Sequence, residues 1–332
     1  MSSVLLVGTG QVGVRAARQL VDTPGLSRLL IASRERQRAV DLVQPMGERA
    51  EPFDWDPGRG PRVPSDVTAV AVATAAPGAY AWVRSAIEAG VPVAVVVDDG
   101  FGELEAAARA HSVSVVTGCG LGPGLTDVLA RHAAGAFDRV DEVHVARVGA
   151  AGDACADAVR EARRATPGEW RDGAWSSDRT FGPELLWFPE PVGSRECQLV
   201  ANGVAACVAT VPGVRHATSR LGAPPITGRL RFRARLRRDP LNEGWGAARV
   251  EVTGRRNGSV ATVVYGVVDQ TAVVAGVVVA VAAASLAGVA SAGLAATPGV
   301  RTLGEVAEPL PFLAELARRG VKAAAFEGVV PA

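Results

Sequence analysis

Between Val4 and Val116, short apolar runs alternate with segments of helical spacing, the pattern of a parallel sheet with crossover helices. Val4–Val7, Leu29–Ala32, Ala69–Ala73, Val93–Val97 and Val113–Val116 read as strands. Val12–Val21, a segment closing at Ile87–Gly90, and Glu103–His111 read as helices. Asp54–Pro64, rich in proline, glycine and charge, reads as a surface loop. Beyond Thr126 the period changes. Asp141–Val148 alternates like a half-buried strand, Asp153–Ala165 has helical spacing, and Leu230–Arg235 alternates again. Ala247–Gly254 and Ser259–Val267 flank Asn257-Gly258, a strong hairpin signal. Mixed strands and a few helices predict an α+β second domain.

Gln270–Gly299 carries no charged residue, yet its apolar content is mostly Ala, Val and Gly, and no basic cluster flanks it. That predicts a buried, close-packed helix rather than a membrane span. A surface so apolar would not face water in a monomer, so a homodimer built by the second domain is expected. Lys plus Arg (35) against Asp plus Glu (34) gives +1, with no signature of a nucleic-acid or anionic-membrane partner. Lys322 is the only lysine, which excludes Schiff-base chemistry in the body of the chain. Cys119, Cys155, Cys197 and Cys207 show neither C-x-x-C spacing nor a nearby histidine, so no metal site and no disulfide framework are expected. Without a leader pattern ahead of Val4, a cytoplasmic location is expected.

The candidate chemistry begins at Gly8-Thr9-Gly10-Gln11-Val12-Gly13, which follows the first strand and opens the first helix. Gly8 permits the turn, Gly10 lets backbone approach a pyrophosphate, and Gly13 lets the helix sit close to the strand. The helix N-terminus, with Gln11 and Val12, then faces the phosphates. The expected fold is α/β: an N-terminal Rossmann doubly wound parallel sheet with a second α+β domain. Residues 1–124 form the dinucleotide domain, 125–299 the substrate-binding and dimerisation domain, and 300–332, with amphipathic Pro309–Arg319, pack back on the first. After strand two, where an NAD site places a carboxylate, this chain has Ser33-Arg34 followed by Arg36. A hydroxyl and guanidinium groups suit a 2′-phosphate, so the expected cofactor is NADP(H). Asp54 is expected beside the adenine, Ala75-Ala76-Pro77 beside the ribose and nicotinamide, and Gly118 at a later strand end.

Gly8–Gly13, Ala75–Pro77, Val97-Asp98 and Gly118-Cys119-Gly120-Leu121-Gly122-Pro123-Gly124-Leu125-Thr126-Asp127 follow one another as in saccharopine-dehydrogenase-like oxidoreductases, which this chain resembles. Trp170…Trp175…Trp187-Phe188-Pro189-Glu190, Tyr265-Gly266 and Leu313–Gly320 extend the likeness. It implies a Rossmann domain, an inserted α+β domain for substrate and dimer contacts, and reduction of imines or oxidation of secondary amines. The chain departs from the family where Gly122 replaces a frequent Asp, Asp127 a common Asn, and Val97 a frequent aromatic.

Hydride transfer to a C=N bond asks the protein to position substrate and favour the protonated iminium. Asp98, Asp99 and Asp127 are the candidate carboxylates, Tyr80 and His144 candidate proton carriers, and Cys119 either a weak donor or a small buried thiol. Arg147 is a candidate clamp for a substrate carboxylate, and Trp170, Trp175 and Trp187 candidate walls of a pocket for a small amine or imine. The leading expectation is an NADPH-dependent imine reductase. Alternatives are an NAD(P)-dependent amine or amino-acid dehydrogenase, a ketone reductase, or a non-catalytic NADP sensor.

Overall fold

Strand formation in the first unit follows from continuous Val/Leu/Ala runs that need cover on both faces. The computed structural model describes residues 2–98, 100–177, 182–224 and 239–329. Asp99 and the alternating run Leu230–Arg235 lie outside the described residues. The chain divides into two units, Met1–Gly120 with Val273–Gly320, and Leu121–Ala272 with Val321–Ala332.

The first unit opens with β1 (Ser2–Val7), α1 (Gln11–Val21), β2 (Leu26–Ala32), α2 (Arg36–Val43) and β3 (Ala50–Phe53). β4 (Ala69–Val72), α3 (Ala76–Glu88), β5 (Val93–Val95), α4 (Glu105–Ala110) and β6 (Ser114–Thr117) follow. The strands are parallel, in the order β3-β2-β1-β4-β5-β6. The order reverses between β1 and β4, the switch point at which such sheets bind ligands outside the strands' carboxyl ends.

The second unit contains α5 (Leu125–Ala134), β7 (Arg139–Val148), α6 (Asp153–Arg164), β8 (Glu169–Arg171), β9 (Ala174–Ser176), β10 (Glu184–Leu186) and β11 (Arg195–Val200). α7 (Val204–Thr210), β12 (His216–Gly222), β13 (Trp245–Arg256) and β14 (Ser259–Gln270) complete it before the chain leaves. Its mixed sheet runs β10-β11-β12-β7-β13-β14, with β8 on β12 and β9 on β8. The expected hairpin is present: Arg256 pairs Ser259 around Asn257 (φ 51°) and Gly258 (φ 80°). Two positive φ values are what a two-residue turn matching strand twist requires.

The chain then returns to the first unit as α8 (Thr271–Leu286), β15 (Gly299–Thr302), α9 (Leu303–Val306) and α10 (Pro309–Arg318). The uncharged stretch is a buried helix, as expected, but it belongs to the first unit and not the second. Val277–Ala284 are almost fully buried, and at Gly276 a Cβ would stand 2.5 Å from the Arg15 Cβ on α1. Its apolar surface is thus covered inside one chain, which removes the ground on which it was expected to build a dimer face. None of the described helices is long and apolar enough to cross a membrane.

The C-terminal segment also divides. β15 adds to β6 as a seventh parallel strand, whereas β16 (Ala323–Val329) pairs with β14 in the second unit. Only part of 300–332 therefore packs on the first unit. Glu105 fastens β15: its carboxylate accepts the Val300 N–H at 2.5 Å and faces Arg109 and Arg301. Those hydrogen bonds, the Val300 N–H first, hold its carboxyl at about 2. Because the folded value lies below the ordinary 4.5, this contribution is complete above pH 4.5 and fades as pH falls toward 2. Glu105→Gln is expected to lower stability by about 1 kcal/mol at neutral pH, the partial exposure of the carboxylate limiting the effect. Urea unfolding across that window should show the gap to wild type closing as pH falls. A gap independent of pH would refute the assignment.

Candidate functional site

At the switch point, the turn after β1 is held by its neighbours. Gly8 N–H donates to Ala32 O on β2 at 2.9 Å, and Ala73 N–H donates to Val7 O at 2.8 Å. Gly8 (φ 108°) lies so close to the β4 end that a Cβ would stand 2.6 Å from Ala73 O. A Cβ at Gly13 would overlap the Gly8 carbonyl, so α1 rests directly on the turn. Gly10 is different: its Cβ direction meets nothing within 4 Å. No side chain caps α1, and its first turn, starting with Gln11 and Val12, has no acidic residue. This turn has backbone donors, an open approach and no competing carboxylate, and it fits a dinucleotide pyrophosphate.

Ser33 and Arg34 follow β2. Ser33 Oγ lies 2.8 Å from Thr9 Oγ1, so two hydroxyls meet beside the glycine turn. Arg34 is exposed, and among the described residues no carboxylate pairs with it. Arg36 and Asp54, assigned separately to phosphate and adenine, are instead each other's partners, at 2.5 Å between Nε and Oδ1. Opposite charges on adjacent strand ends reach one another before either needs a ligand, and the Asp54 carboxylate raises the Arg36 pKa. Sequence reasoning missed Thr9 and Trp55. The Trp55 indole donates to Ser33 O at 3.0 Å and meets Trp82 edge-on at 5.1 Å. Its position two residues past β3 was the available signal.

Along the same strand ends, Ala75 is the N-cap of α3, whose first turn contains Ala76 and Pro77. Tyr80, one turn further on, is half-buried and stacks on Phe101 at 6.5 Å. Asp98 follows β5, also half-buried. Gly118 (φ 68°) and Cys119 follow β6, their N–H groups donating to Val97 O and Val95 O. Cys119 is fully buried and donates to Val116 O at 3.4 Å. Burial pushes its thiol well above the ordinary range. Its full burial fits the second of the two roles expected of it, a small packed thiol.

The candidates of the second unit do not converge on one point. Asp127 is buried at the start of α5, where Oδ2 accepts the Gly124 N–H at 2.7 Å in a capping arrangement. Arg147 is buried and donates to the Gly122 and Asn202 carbonyls, Asn202 Oδ1 and Ser219 Oγ. Its fork is engaged by the protein's own oxygens rather than turned outward as a clamp. Trp170 donates to Val214 O at 3.1 Å and lines a cavity of about 330 Å³ with Asp172, Val208 and Arg215. Trp175 and Trp187 are about half exposed, and neither lines that cavity. His144 is held by Thr218 Oγ1 at 2.7 Å and Glu142 Oε2 at 3.0 Å, and burial lowers its pKa. It borders a second cavity of about 230 Å³ lined by Glu184, Arg220, Arg249 and Glu251.

In three dimensions the chain is similar to saccharopine dehydrogenase (L-Glu forming) from Saccharomyces cerevisiae, with TM-score 0.71 and 15% identity, over 98% of this chain and 100% of that one. It is also similar to an amine dehydrogenase from Mycobacterium smegmatis, with TM-score 0.54 and 13% identity, over 92% and 96% of the respective chains. The resemblance read from Gly8–Asp127 therefore holds at the level of fold. No family model matches the chain, and no curated protein matches it by sequence.

Proposed function

We propose that this chain is an NADP(H)-dependent oxidoreductase that reduces the C=N bond of an imine derived from a small amine or amino acid. The observation that carries the proposal is the open glycine turn at the switch point, flanked by Ser33 and Arg34 where an NAD site would present a carboxylate. A nicotinamide bound there supplies hydride. Ser33 and Thr9 offer hydroxyls, and Arg34 a guanidinium, to a 2′-phosphate. Asp98, three residues past β5, supports the positive charge of the protonated iminium, and Tyr80, on α3 and stacked on Phe101, serves as a hydroxyl donor. The shared fold with a saccharopine dehydrogenase and an amine dehydrogenase supports C–N chemistry, and the oxidative direction is the second reading. NADPH favours reduction, because its cellular pool serves biosynthesis.

Titration calorimetry with NADPH and NADH tests the cofactor half, and equal affinities would refute it. Arg34→Ala is expected to weaken NADPH by about 2 kcal/mol, roughly 30-fold, while leaving NADH nearly unchanged. NADPH consumption against paired amines and aldehydes tests the chemistry. A protein that ignores that panel yet reduces a simple ketone would overturn the imine assignment and leave the dinucleotide assignment standing.

A further inference from the structure

We infer that the second unit carries a site for a divalent transition metal of the zinc class, with Glu142, His144 and His216 as ligands. These side chains come from adjacent parallel strands, β7 and β12, where Glu142 is opposite His216 and His144 opposite Thr218. The four positions form a square patch on one face of the sheet, because alternate residues of paired strands share a face. One donor atom from each of the three ligands lies within 4.8 Å of the other two. The two imidazoles meet edge to face, their centroids 5.0 Å apart. All three residues are partly buried, so an ion could enter from solvent and still lose much of its water.

The surroundings give the cluster the organisation of a metal centre. A ligating histidine generally uses its second ring nitrogen to hold a fixed oxygen, which sets the tautomer and the ring orientation. Both histidines have such a partner. His216 Nε2 lies 3.1 Å from Oε2 of Glu169, whose side chain is fully buried, and this leaves Nδ1 for an ion. His144 Nδ1 lies 2.7 Å from Thr218 Oγ1, which also accepts from Arg220 Nη1 at 2.6 Å. A hydroxyl oxygen has two lone pairs, so it can accept from both and leave His144 Nε2 for the ion beside Glu142. The nearby cations are matched by carboxylates: Arg171 by Glu169 at 2.9 Å, and Arg220 by Glu184 at 2.9 Å. Two imidazoles and one carboxylate suit zinc, with a fourth position left for water or another ligand. Cysteine spacing gave no hint of this site because no cysteine takes part, and the two strands are far apart in sequence.

The test uses the full, tag-free chain, stripped with a chelator and titrated with Zn²⁺, with bound metal counted after dialysis. One equivalent per chain is expected, with a thermal midpoint that rises with zinc concentration. His144→Ala and Glu142→Gln should each abolish that equivalent. Glu169→Gln, which removes the charge that holds His216 and pairs Arg171 without touching a ligand, should weaken binding by about 10–100-fold in protein shown to be folded. His216→Ala strands a buried carboxylate and is liable to unfold, so the half-exposed Glu142 variant decides the matter once circular dichroism shows it folded. In parallel, Co²⁺ should develop a ligand-field absorption that the His144 variant lacks. A wild-type chain that takes up no zinc, or a folded Glu142→Gln and His144→Ala that take up as much as wild type, overturns the inference.

Discussion

Gly13→Ala is expected to lower stability by about 3 kcal/mol, whereas Gly10→Ala should leave stability unchanged and weaken the proposed NADPH binding about 100-fold. The two glycines are three residues apart, and their surroundings differ in kind. A methyl group at Gly13 has no room, because it would overlap the Gly8 carbonyl, and both partners are backbone. α1 must then lift off β1, with an overpacking cost at the upper end of the usual range. At Gly10 the backbone (φ −75°, ψ −174°) is one any residue adopts, and the methyl would enter open space. That space is where a pyrophosphate would approach, so the methyl should cost NADPH affinity on the order of 100-fold, about 2.7 kcal/mol. Urea unfolding and calorimetric titration of both variants separate the effects. A Gly10→Ala protein that binds NADPH like wild type would remove the glycine turn from the site.

The second large effect concerns Arg147, which the sequence presents as a substrate clamp. Arg147→Ala should destabilise the protein by about 3 kcal/mol. The substitution strands the oxygens of Gly122, Asn202 and Ser219 that its guanidinium now satisfies, and it removes a buried side chain. Its kinetic effect should accompany the loss of stability and not appear as a selective rise in KM. Equilibrium unfolding measured beside kcat and KM decides between the two roles. A variant of unchanged stability with a greatly raised KM would restore the clamp.

Arg147 illustrates where reading the chain in one dimension stops. An arginine on an alternating strand has the same appearance whether it faces substrate or its own backbone. Its partners come from the Gly122 turn, the Asn202 turn and β12, which only the fold brings together. Arg36 and Asp54 make the same point at the surface. Each had a plausible ligand of its own, and each found the other. Asp127 entered as a candidate carboxylate and Cys119 as a weak donor or a buried thiol, and only the fold shows that Asp127 accepts the Gly124 N–H and that Cys119 is fully buried.

What the sequence determined by itself is local. Strand, glycine turn, helix and second strand follow within a short span, so Gly8–Gly13 mark the Rossmann-like half without reference to distant residues. Asn257-Gly258 likewise sets its own hairpin, since the turn depends on two adjacent residues that tolerate positive φ. What the tertiary structure decided is partnership across distance. The uniformly apolar α8 has no polar face to point it anywhere, and close packing against α1, permitted by Gly276, assigns it to the first unit. β15 is too short to choose a neighbour alone, and the Glu105 carboxylate holds it beside β6. In their own segments Glu142, Glu169 and His216 carry no signal, and His144 is notable only as a candidate proton carrier. They become a cluster only because β7, β8 and β12 are hydrogen-bonded in one sheet, and no single segment encodes which distant strand it will pair with.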